Sequence, residues 1–174
     1  SPHDLLFAAC SQPGTPPAST PNPAGMWVVQ PGSQAGYRAR EKFDRLPSPN
    51  VAVARTDRVG GWLLVDADAG SVTITSGCVA VELATLHSID QLPGLHTADR
   101  DQAVRDFLNT NLHPFAVFTV NAARLTSTSP ATPIHVRVPD GLELNGHGWP
   151  AAFDVFAYLA GTRLDAAVDR GAMS

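Results

Sequence analysis

Cysteine is scarce in this chain, with Cys10 and Cys78 the only two in 174 residues. That excludes a disulfide-dense miniature scaffold and the paired-cysteine motifs of structural zinc sites. Charge is thin as well: 16% of residues are charged, the net charge is −4, and Lys and Arg are scattered. Nothing here suits a polyanion, so nucleic acid is set aside as a partner. No apolar run approaches the roughly 18 residues of a membrane-spanning helix. The strand-helix-strand rhythm of a parallel sheet is missing too.

Apolar residues make up 44% of the chain, enough for one sizeable core at this length. The 14 glycines and 15 prolines suit many short strands and turns.

The amino end reads as processed. Leu5-Leu6-Phe7-Ala8-Ala9-Cys10 has the form of the end of a secretory signal, with small residues before a cysteine. The expectation is a truncated lipoprotein signal, Cys10 carrying the lipid and tethering the protein to a membrane. Cys78 is then a lone thiol, packed as a small hydrophobe. Ser11 to Ala24, built of Ser, Gln, Pro, Gly, Thr, Ala and Asn, is a disordered spacer. Residues 1–24 thus form a leader and spacer, and residues 25–174 the folded domain.

Period-two patterning then dominates. Met26-Trp27-Val28-Val29 precedes a Pro31-Gly32 turn, and Tyr37, Ala39 and Phe43 alternate with Arg38, Arg40 and Lys42. Val59 to Val65, centred on Trp62, is a further strand. Val72 and Ile74 carry their apolar side on even positions, whereas Val79, Val81 and Leu83 carry theirs on odd ones, with Ser76-Gly77 between. A glycine at a phase shift predicts a β-bulge. Thr97 caps a short helix, with Asp99 in its first turn and Val104, Phe107 and Leu108 sharing a face, ended by Asn109 and Pro114. Strands resume with Ala116, Phe118 and Val120, with Ile134, Val136 and Val138, and with Trp149 to Leu159. The count is about seven strands and one helix, an all-β, mainly antiparallel fold.

Catalytic and metal signals are weak. The histidines His87, His96, His113, His135 and His147 do not fall at ligand spacings. Ser88, Asp90 and His96 supply the residue types of a hydrolytic triad, yet no G-x-S-x-G elbow lifts the serine. The chain is therefore read as a non-enzyme without metal or cofactor, a Ser88 hydrolase standing as the remote alternative. Another alternative is an interaction module whose core is filled by its own side chains.

The motif order adds a more specific expectation. Gly25 to Tyr37 with Arg40-Glu41-Lys42, then Ala54-Arg55-Thr56 with Val59-Gly60-Gly61, resembles the opening of the YceI-like family of lipid-binding proteins. Leu83 to Ser88, Arg100-Asp101 and Pro114 to Thr119 resemble its central block, and Leu142 to Gly146 with Pro150 and Phe153 its later strands. The resemblance implies an exported, lipocalin-like extended β-barrel of the cell envelope that stores or carries an isoprenoid-type lipid, a quinone tail or polyprenyl chain. By that likeness the cavity is lined by Trp27, Tyr37, Phe43, Trp62, Leu64, Val79, Val81, Leu83, Phe107, Leu108, Phe115, Phe118, Val120, Trp149, Phe153 and Val155. Two departures stand out. Gly148-Trp149 replaces the family's Thr and basic residue before the matching proline, and the chain ends at Ser174 where relatives continue through closing strands. The expected barrel is therefore incompletely closed or completed by a second copy at its C-terminal edge.

Overall fold

The computed structural model describes residues 2–10, 25–42, 50–68, 71–91, 93–126, 132–160 and 163–169. The expected spacer and Phe43 lie outside the described residues. Among those described there are eleven strands: β1 (Gly25–Val28), β2 (Ala35–Glu41), β3 (Asn50–Thr56), β4 (Val59–Asp68), β5 (Ser71–Glu82), β6 (His87–Ser88), β7 (Phe115–Val120), β8 (Ala123–Thr126), β9 (Ile134–Leu144), β10 (His147–Ala160) and β11 (Arg163–Asp169). Two helices accompany them, α1 (Pro2–Ala9) and α2 (Thr97–Phe107).

The large sheet runs β1-β4-β5-β7-β9-β10-β11, with β8 also on β5, and the small sheet runs β2-β3-β6. Every pairing is antiparallel. The end strands β1 and β11 do not pair with each other, so the fold is all-β with a sheet that stops short of closing. That agrees with the expected incomplete barrel.

Cross-strand partners share a face, so the register sorts the side chains. Trp27, Leu63, Val65, Val72, Ile74, Val79, Val81, Phe118, Val120, Val138, Leu142, Phe153, Val155 and Leu164 fall on one side, here called the inner face. Leu64 pairs with Ser76 but Val65 with Ile74, so Thr75 is the extra residue of a bulge. This bulge is what brings even-numbered Val72 and Ile74 to the same side as odd-numbered Val79 and Val81. The predicted phase shift is thus real but sits at Thr75. Gly77 serves packing instead. A Cβ there would collide with a Leu63 methyl, so the bare glycine lets Leu63 fold over the strand.

Two buried clusters occupy the inner face. One gathers Val65, Val72, Ile74, Ala123, Leu125, Ile134, Val138 and Ala157, with Trp27 and Leu164 packed against it. No described helix lies on that side, yet Leu125 and Ala157 are fully buried. The sheet curls over its own apolar face, as a twisted, bulged sheet does. The other cluster joins Val81, Ala116 and Leu142 to Ala54 of β3, with Tyr37 of β2 and Leu108 packed against it. The small sheet therefore covers the opposite end.

The opposite, outer face carries α1. Leu6 and Cys10 are buried with Trp62, Cys78 and Ala80, and Leu64, Phe115 and Val117 pack alongside. Cys10 and Cys78 form a disulfide. Three expectations give way here. The segment read as a signal remnant is a packed helix of the folded unit. Cys78 is not a lone thiol. A Cys10 sulfur bonded to Cys78 is not available for a lipid thioether, so the tether through Cys10 is withdrawn.

Candidate functional site

Most of the expected cavity residues meet on the inner face. Trp27, Val79, Val81, Phe118, Val120, Trp149, Phe153 and Val155 share it by register. Phe118 and Phe153 pack edge to face with centroids 5.5 Å apart. Tyr37, Leu83 and Leu108 join at the end covered by the small sheet. The fully buried clusters fill parts of the face, but Trp27, Leu63, Val79, Phe118, Val120, Val136, Val155, Leu159 and Leu164 keep partial solvent access. Trp149 and Val168 on the same side are exposed. The inner face is thus apolar and only partly covered.

Four residues of the expected lining do not belong to it. Trp62, Leu64 and Phe115 point to the outer face beneath α1, because each lies one position out of phase with the inward set. Phe107 is 81% exposed. It sits on the last turn of a helix with no buried residue, so of the apolar face the spacing suggested, Leu108 just past the helix packs inward and Phe107 does not.

What anchors α2 is polar. The Arg100 side chain is 8% exposed and bonds Ser88 Oγ at 2.8 and 3.1 Å, Asp90 Oδ1 at 2.5 Å and Glu41 Oε2 at 3.2 Å. Asp101, next on the helix, accepts from Ser88 Oγ at 2.5 Å and from the Ser88 backbone N–H. Asp90 also accepts from the Val53 N–H at 2.9 Å. The knot thus fastens α2 to β2, β3 and β6 through charge-assisted bonds, the strong kind. Arg100 and the Val53 amide hold the Asp90 carboxyl below its usual range. Burial pushes the nearby Tyr37 phenol up; Arg100 opposes this and Asp101, Glu41 and Asp90 add to it. Sequence reasoning noted Arg100-Asp101 only through the family likeness. A charged pair flanked by Asp99 and Gln102 looks like ordinary solvated helix surface.

The same geometry parts the supposed triad. The Ser88 hydroxyl donates to the Asp101 carboxylate and accepts from Arg100, so its bonding partners are not the Asp90 and His96 that the sequence offered. His96 is exposed, and its backbone carbonyl accepts from the Asp99 N–H at the start of α2. Among the described residues no three His, Cys, Asp or Glu side chains converge on a metal position. No helix among them is long and apolar enough to cross a membrane. A scan against protein-family models and a search of curated proteins both found no match to the chain.

Proposed function

We propose that this protein holds a long, apolar, isoprenoid-type lipid along the inner face of its curled sheet, as a carrier or store and not as an enzyme. The observation that carries the reading is the set of inward apolar side chains that keep partial solvent access. An extended hydrocarbon laid along Val79, Phe118, Val120, Val136 and Val155 would cover them. Each buried methylene contributes about 0.8 kcal/mol, so around ten offset the ~8 kcal/mol of micromolar binding before ordering costs. No polar site is needed for such a ligand.

The Cys10–Cys78 disulfide supports an oxidising compartment, since such bonds persist mainly outside the cytosol. That agrees with an exported protein of the cell envelope, as does the motif resemblance to YceI-like proteins.

Organic extraction of the purified protein followed by mass spectrometry tests the reading. A stoichiometric polyprenyl or quinone species is expected from the wild type, and its loss from Val79→Trp, which sets a larger side chain on the face the lipid would cover. Protein from lipid-rich cells that is reproducibly empty would sink the proposal and leave a packed interaction module as the better account.

A further inference from the structure

We propose that β11 is a dimer edge, and that two copies of this chain pair through it antiparallel about a two-fold axis at Ala166. Among the described strands β11 pairs with β10 alone. Of its seven residues only Leu164 is partly covered; the rest are exposed on both faces of the sheet. An exposed edge of this kind presents unpaired backbone donors and acceptors that invite another strand.

The sequence of the edge is complementary to itself. Laid antiparallel with Ala166 opposite Ala166 of the second copy, Arg163 faces Asp169, Leu164 faces Val168 and Asp165 faces Ala167, each contact occurring twice. Opposite charges meet at both ends, and apolar side chains meet on the inner face between them. Cross-strand pairs of these kinds are the stabilising ones in a sheet. Partners in this register are always an even number of residues apart, so outward-pointing amides on one copy meet outward-pointing carbonyls on the other. A shift by one residue would break that match and set Arg163 against Val168.

The guanidinium has capacity for the added contact: Arg163 binds Asp165 through Nε and one terminal nitrogen, and a guanidinium has five donors. Val168 is 57% exposed on the inner face beside Val155, and the second copy would set its Leu164 against it. The common closed, isologous dimer needs such a self-complementary patch.

Light scattering with single-cysteine cross-linking tests the pairing, with Cys10 and Cys78 already bonded to each other. The expected mass is twice the 18.3 kDa of the chain. Under mild oxidation Ala166→Cys should cross-link at least tenfold more completely than Ala167→Cys, because only position 166 faces itself. A monomer at all concentrations overturns the proposal. So does a dimer in which Ala166→Cys fails to cross-link. Protection of the β11 amides from hydrogen exchange in a monomer would show that another part of the same chain covers the edge, and would also overturn it.

Discussion

The part of the molecule around β3 to β7 and the last hairpin, β10 and β11, are held in different ways. In the first, Arg100 is buried among three carboxylate and hydroxyl partners. A disulfide pins α1 over Trp62 and Ala80. In the second, the ion pairs lie on the surface: Arg137 with Asp154, Arg163 with Asp165 and Arg38 with Asp169, with side chains 36–77% exposed. Charged pairs of similar geometry therefore differ in consequence. Where water is excluded, losing one partner strands the others. Where water remains, it replaces the partner at little cost.

The largest effect should come from Arg100→Ala, expected to destabilise by about 3–5 kcal/mol in chemical denaturation, since Ser88, Asp90 and Glu41 all lose a buried donor. Arg100→Lys should recover only part, because an ammonium cannot reproduce the fork of bonds. A loss below 1 kcal/mol would erase the contrast between the two regions. Next is the paired replacement Cys10→Ser with Cys78→Ser. The bond closes a loop with a sequence separation of 68, and removing such a link typically costs about 2–4 kcal/mol. Trp62 fluorescence should shift to the red as α1 lifts away. Unchanged emission would mean that apolar packing alone holds the helix.

How much of this was legible beforehand depends on whether the signal was periodic. Ala116, Phe118 and Val120 alternate cleanly, as do the residues from Trp149 to Leu159, and all fall where the period of two places them. The phase change around Ser76-Gly77 announced the bulge to within two residues. β11 was missed because its alternation is faint: Leu164, Ala166 and Val168 do alternate with Arg163, Asp165 and Asp169, but the run is short, two of its residues are alanine, and no large aromatic or long aliphatic series marks it. The β9–β10 hairpin did carry a local mark. Asn145 and Gly146 both have positive φ, 50° and 73°, the turn that Asn-Gly favours. The Cys10–Cys78 bond was not legible because 68 residues separate the partners. Periodicity placed Trp62, Leu64 and Phe115 in strands but not on a side, since both faces of those strands are apolar and the covering helix came from the amino end.

Acid offers a milder way to probe the contrast. The Asp90 carboxyl is held below its ordinary range, by Arg100 first and the Val53 amide second. A group whose folded pKa is depressed contributes stability that is complete above its unfolded pKa and is lost as pH falls through the folded value. Melting temperature should therefore fall as pH drops below the ordinary carboxylate range, and Asp90→Asn should flatten that part of the curve from a lower starting point. A wild-type melting temperature that rises on acidification would reverse the sign and exclude this linkage.

The smallest effect tests the other side of the comparison. Asp154 and Asp169 lie directly opposite each other on the outer face, an arrangement that repels when unscreened. Each has its own cation, Arg137 at 3.3 Å and Arg38 at 3.0 Å, and His135 approaches Asp154 at 3.4 Å. Arg137→Ala removes one of these, yet its side chain is 66% exposed, so solvent and salt already screen the pair. The expected loss is within about 1 kcal/mol, shrinking further in high salt. A loss as large as that of Arg100→Ala, undiminished by salt, would mean that the outer face of β10 and β11 is covered in solution.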